Sequence, residues 1–265
     1  MKNCSWCWLI LGFGLAIFLI SCATVPETGR SQLRLVSDQQ EMALGLTEFD
    51  KLKQSTPISK DPKLNALVQR VGQRIAAVAP LPNAQWEFVV FDDPQTANAF
   101  CLPGGKVGVY TGILPISQDE AGLATVIGHE VSHAVAHHGG ERMSQALLSQ
   151  LGGQILGSAL QTQAETTRNL WLGVYGLSSE VGWTLPHSRS QELEADHLGV
   201  IYMARAGYHP QAAVEFWKRF DAYSKQHGGE KWEFLSTHPV DEKRIAQLQS
   251  LLPEAMAEYQ KAGKR

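Results

Sequence analysis

Two histidines four residues apart, His129 and His133, stand with Glu130 directly after the first in the run Gly128 to His138, GHEVSHAVAHH, which puts four histidines and one glutamate into eleven residues. On a helix, residues four apart lie one above the other, so both imidazoles can reach a single ion. The HExxH pattern is therefore a candidate metal site, and the alternative is a polar patch on a helix surface. A catalytic zinc takes three protein ligands and keeps one position for water, so the first reading needs a third ligand from elsewhere.

The candidates are His137, His138, His187, Glu192, Glu194, Asp196, His197, His209 and His238. His137 continues the row of His129 and His133, but three ligands in one straight row diverge from one ion, so His137 is expected to cap the helix or face solvent. In SRSQELEAD, Glu192 and Asp196 are four apart and share a face, while Glu194 points nearly opposite. Such a face could place Glu192 on the ion and Asp196 behind a ligating histidine. Taken alone, the segment reads more readily as a charged helix face in solvent.

Helices must hold these groups. The pattern turns helical from Ser37 to about Asp50 or beyond, and a second helix is predicted from Asp61 to Ala79, with Asp61 as N-cap and Pro62 in first position. WEFVVFDD (Trp86 to Asp93) and KVGVYTG (Lys106 to Gly112) are the strand candidates. Ser117 and Glu120 stand at capping-box spacing ahead of the HExxH helix, and Gly139-Gly140 is expected to stop it. Ala124, Val126, Ile127, Val131, Ala134 and Val135 surround the motif, which predicts a helix buried on most sides. Further helices are predicted from Glu141 to about Thr162, from Ser188 to Ala206 with a stop at Gly207, from His209 to His227 and from Val240 to Ala262. Thr166 to Pro186 has no clear period and reads as a loop or irregular helix. Gly139 to Pro186 as a whole is expected to form a mobile cover over the cleft, being glycine-rich and weakly periodic. Two or three short strands among many helices make a mainly helical α+β domain.

The chain has 265 residues and a formal net charge of −3, and it carries no basic run, which argues against nucleic acid as a partner. At the start, Lys2 precedes an apolar run from Trp6 to Ile20 that ends in Leu19-Ile20-Ser21-Cys22. This reads as a secretory signal over residues 1–21, and Leu-Ile-Ser-Cys resembles the bacterial lipobox, which makes Cys22 the expected lipidated N-terminus. An uncleaved transmembrane helix is the alternative, although the run is short for a full span. Residues 22–36 then form a lipidated polar tether, and residues 37–265 the domain. With Cys4 and Cys7 removed, Cys101 is the remaining thiol, so no intramolecular disulfide is expected. Ala23 after the anchor favours the outer membrane, facing the periplasm. Cys101 has no histidine adjacent in sequence, so a thiol route to catalysis lacks support.

GHEVSHAVAHH, SRSQELEAD and NAFCLPGGKVGVYTGIL together resemble the zinc metalloendopeptidases related to the CAAX prenyl protease and HtpX. STHP with a following arginine narrows the resemblance to the branch of periplasmic BepA- and LoiP-like lipoproteins and mitochondrial Oma-type proteases. The resemblance covers about Gly29 to Ile245, and its four motifs stand in the right order. Cys101 departs from the pattern, standing where small apolar residues are common. The resemblance implies a zincin-like (gluzincin) fold with a small β-sheet and one zinc per chain on His129, His133 and Glu192. It implies Glu130 as general base and Asp196 as support for the site. It also places His238 or Arg244 beside the zinc pocket, either donating to the oxyanion or, for His238, occupying zinc's open position as a latch. In zincins the edge strand of the sheet receives substrate as an added strand, which assigns Asn98, Gly104, Gly105, Val107 and Val109 to substrate binding. The function so implied is zinc-dependent proteolysis of unfolded or misassembled cell-envelope proteins, with the outer-membrane assembly machinery as a possible partner. The competing class is a chaperone-like or scaffolding envelope lipoprotein whose metal is structural or latent, and an intact Glu130 argues against it.

Overall fold

The computed structural model describes residues 22–155, 187–226, 234, 237–239 and 241–264. The expected leader over residues 1–21 and the expected loop Thr166 to Pro186 lie outside the described residues. No helix among the described residues is long and apolar enough to cross a membrane.

Residues 22–36 are not a free tether. Strands β1 (Cys22–Thr24) and β2 (Ser31–Leu33) pair antiparallel, Thr24 opposite Ser31, and Val25 in the connecting turn is fully buried. That apolar contact holds the hairpin on the domain. Helix α1 (Asp38–Ser55) starts at a capping box, in which Ser37 accepts from the Gln40 amide and Gln40 reaches back to the Ser37 amide. Asp61 caps α2 (Pro62–Ala76) as its spacing predicts, but this helix stops at Ala76 instead of Ala79. Val78 and Ala79 both turn back to the Ile75 carbonyl, tightening the chain ahead of Pro80.

The sheet that borders the site has three strands, β3 (Glu87–Phe91), β4 (Ala99–Leu102) and β5 (Lys106–Tyr110), in the order β3-β5-β4. β3 and β5 are parallel, β5 and β4 antiparallel. β5 is thus central and β4 is an edge. The strand candidates read from the sequence do not include β4, a four-residue apolar run, AFCL, too short and uniform to show alternation.

After a 3-10 turn (Thr111–Ile113) and short helix α3 (Leu114–Ser117), the HExxH segment forms α4 (Glu120–Val135). The capping box expected at Ser117 and Glu120 is absent. Gln118 has a positive φ of 66°, which separates the two helices. Ser117 closes α3 by donating to the Leu114 carbonyl, and Asp119 caps α4 by accepting from the Gly122 amide at 2.8 Å. Gly139-Gly140 does not stop α4 either. His137 does, at φ 52°, with its ring 3.3 Å from Glu41, and α5 (His138–Ile155) begins at the next residue. The described part of the expected cover is thus helical.

Among the described residues three further helices follow, α6 (Arg189–Arg205), α7 (Gln211–Gln226) and α8 (Glu242–Ala262), with Ser188 and Asp241 as caps of the first and last. Every residue of α4 from Gly122 to Val135 is buried, because α6, α7, α2 and β4 surround it. α4 and α6 cross at glycines. A Cβ built on Gly199 would lie 3.0 Å from the His129 amide nitrogen, and one on Gly128 would lie 3.0 Å from the Gly199 carbonyl. Backbone contact at this point brings the two motif-bearing helices close enough to share one site.

Candidate metal centre

The crossing places His129 and His133 of α4 against Glu192 of α6. The two Nε2 atoms are 3.1 Å apart, and the Glu192 carboxylate lies 3.4 Å from each. His238 joins them, its Nδ1 3.2 Å from His129 Nε2 and 3.0 Å from Glu192. Each of the four residues offers one ligand atom within 4.8 Å of the others, and all are buried. Lone pairs converging in a dry interior repel unless a cation or proton lies between them, and two imidazoles with a carboxylate match a zinc donor set. The residues therefore fit a divalent metal.

Asp196 lies one helical turn beyond Glu192, and its Oδ1 is 3.0 Å from His129 Nδ1. Burial would lower the His129 pKa, but Asp196 and Glu192 outweigh it and push it up to about 9. Binding a metal there displaces a proton.

Arg244 does not face the cleft as an oxyanion donor, contrary to the expectation for it. Its guanidinium pairs with Asp196 at 2.7 and 2.8 Å, with Glu192 at 2.7 Å and with the Pro239 carbonyl at 3.0 Å, and it stacks 4.0 Å from the centre of the Trp217 ring. Its Nε, Nη1 and Nη2 are all drawn to partners inside the protein, and Arg244 does not line the cleft beside the ligands. Burial by itself would raise the Glu192 and Asp196 carboxyls, and Arg244 holds both below the ordinary range.

Glu130 lies on the cleft side of α4, 3.5 Å from His238 Nε2. Burial pushes its pKa up, against the pull of His238 and His129. A small cleft lined by Asn98, Ala99, Phe100, Cys101, Glu130, His133, His187 and His238 connects the ligands to β4. This corrects the expectation for the substrate strand. Val107 and Val109 lie on central β5, paired on both sides, with side chains in the core. Gly104 and Gly105 form the β4–β5 turn at φ 85° and 82°, at the far end of β4 from Asn98. Of the five residues only Asn98 lines the cleft, and the available edge is β4.

Some groups near the ligands were not assigned from sequence. His138 Nδ1 is 2.9 Å from His133 Nδ1, and its Nε2 is 2.9 Å from Glu194, which also pairs with Arg30 at 2.6 Å. Burial holds the His133 and His138 rings below the ordinary histidine range. His187 is buried with its ring centre 3.8 Å from that of His133. Both histidines were visible as ligand candidates, but their direction was not. His197 and His209 lie elsewhere, against Glu254 and Tyr259.

Paired histidines on a buried helix, under the free edge of a small sheet, are a zincin-like architecture. Sequence comparison agrees: the chain belongs to peptidase family M48, whose profile matches residues 62–252. It is 39% identical over 188 residues to the mitochondrial metalloendopeptidase OMA1 of Schizosaccharomyces pombe, covering 71% of this chain and 53% of that protein. With OMA1 of Saccharomyces cerevisiae it shares 32% over 253 residues, 89% of this chain and 71% of the yeast protein. With the β-barrel assembly-enhancing protease of Escherichia coli it shares 28% over 233 residues, 86% of this chain and 47% of that protein. The chain thus spans about half the length of the fission-yeast and bacterial relatives.

Proposed function

We propose that this chain is a zinc-dependent endopeptidase of the bacterial cell envelope that cleaves unfolded or misassembled envelope proteins. One zinc is held by His129, His133 and Glu192. The observation that carries this reading is the convergence of these three groups at 3.1–3.4 Å with the Glu130 carboxyl beside them. Zinc, when bound, supplies a Lewis acid that polarises the scissile carbonyl and acidifies water. Glu130 takes the proton from the attacking water and passes it to the leaving amine, a task for which an upward-shifted carboxyl is suited. Asp196 orients His129, and Arg244 fixes the carboxylates of Glu192 and Asp196.

The envelope assignment is supported by the lipobox-like Leu19-Ile20-Ser21-Cys22 and by the bacterial relative's name as a β-barrel assembly-enhancing protease. The OMA1 relatives are named as mitochondrial, so the location rests on the N-terminal residues, not on the shared domain. The decisive experiment is metal analysis with casein cleavage by wild type and Glu130→Gln. We expect one zinc in each and a loss of about a hundredfold or more in cleavage by the variant, the usual worth of a general base. Equal cleavage by both proteins would remove Glu130 from the mechanism. A wild type that binds zinc without cutting would favour the scaffold reading.

A further inference from the structure

The two paired histidines are supported unequally. His129 has a carboxylate, Asp196, on its outer nitrogen, whereas His133 has another imidazole. His138 fills that place because His137, at φ 52°, ends α4 in a single residue, so the first side chain of α5 points back at the helix just left. Behind His138 the polar groups continue. Its Nε2 meets Glu194 Oε2 at 2.9 Å, and Glu194 in turn accepts from Arg30 Nε at 2.6 Å and from the Thr28 hydroxyl. Arg30 also holds Glu141 of α5 through two bonds of 2.9 Å. Thr28 and Arg30 both belong to the segment joining β1 to β2.

With both rings neutral, proton placement along this row has one consistent order. A carboxylate paired with a guanidinium offers only lone pairs, so His138 must donate through Nε2–H. A neutral His138 then presents a lone pair at Nδ1, and the facing His133 Nδ1 must carry the proton. That leaves the lone pair of His133 on Nε2, the atom that faces His129 and Glu192. We propose that His138 and Glu194 are positioning residues which set the tautomer and direction of His133, anchored by Arg30 and Thr28 of the N-terminal hairpin. This rests on the reading of His133 as a zinc ligand through Nε2. Glu192 and Glu194, two residues apart on α6, then serve one imidazole from opposite ends, the first at its inner nitrogen and the second through His138 at its outer one.

The test uses the full chain loaded with zinc and labelled with 15N-histidine. Long-range 1H–15N correlation reports which nitrogen of each neutral ring carries the proton. We expect His133 protonated at Nδ1 and His138 at Nε2 only. A His138 protonated at Nδ1, or at both nitrogens, overturns the proposal. Zinc affinity against a chelator adds a second readout. His138→Leu should weaken it about 10–100-fold, the usual effect of losing an outer partner of a metal-bound histidine. His138→Gln, whose amide can both accept from His133 and donate to Glu194, should bind close to wild type. If His138→Leu fails to fold, the wild-type tautomers still decide the matter, and if it folds with unchanged zinc affinity, the positioning role is wrong. The underlying ligand reading fails differently: the wild type would bind no zinc, or Glu192→Gln would keep it.

Discussion

His238 is the residue whose role the geometry changes most. A histidine in a loop is more often a cap or surface group, yet this one is buried among Glu192, Glu130 and His129 at 3.0, 3.5 and 3.2 Å. It therefore occupies the side of the ligand cluster where Glu130, as the proposed base, would need room for a water and a substrate carbonyl. Arg244, the other candidate for facing the pocket, is committed to Asp196 and Glu192. We favour the latch over the oxyanion donor, because an imidazole already against the ligands displaces the nucleophile until its loop moves. His238→Ala should then raise casein cleavage, with self-digestion visible over time. A fall in turnover would instead assign it to the oxyanion, where loss of one donor costs about a hundredfold or more. Unchanged turnover and zinc affinity would leave it a structural residue.

At the scale of elements, two features control whether the site exists and what reaches it. The first is the close crossing of α4 and α6. Gly199→Ala puts a methyl against the His129 backbone, which cannot swing aside as a side chain would. We expect a loss of about 1–3 kcal/mol in denaturant unfolding together with weaker zinc binding, since the forced separation moves His129 from Glu192. Wild-type stability and affinity in that variant would show the crossing to be tolerant. The second is the free edge of β4. The Tyr110 amide donates to the Asn98 carbonyl, so by the alternation of an antiparallel pair Ala99 and Cys101 turn their amides away from β5. The Ala99 amide is covered by the Asn98 side chain at 2.8 Å. An extended peptide added to this edge should slow hydrogen exchange at Cys101 when a peptidic inhibitor is bound, while Phe100, already paired, changes little. No change at Cys101 would place substrate elsewhere.

For the whole molecule the question is how the domain meets a membrane. Cys22 begins β1, which pairs with β2, and the turn between them is pinned through Val25, Thr28 and Arg30. If Cys22 carries lipid, no slack linker separates the anchor from the domain, and the protease is held at the bilayer surface. Cys22→Ser should give unprocessed or soluble protein that incorporates no labelled palmitate. Membrane extraction and labelling like those of wild type would dismiss the anchor.

Local chemistry is legible in the sequence because caps and ligand pairs act over three or four residues. Ser37, Asp61 and Ser188 start helices where their spacing predicts, HExxH lies on a helix, though in its last turns instead of its middle, and Glu192 and Asp196 share a face as their interval requires. The same local reasoning erred at Ser117 and Gly139, where a single positive-φ residue, Gln118 or His137, ended a helix instead. Such a conformation at a non-glycine residue is stabilised by tertiary surroundings and leaves no mark in composition. Which strand is the edge, where Arg244 spends its donors and what stands behind His133 were decided only in three dimensions. Each depends on groups far apart in the chain, such as Arg30 with Glu194 or Arg244 with Asp196, and no local spacing records which distant partner a buried charge will find.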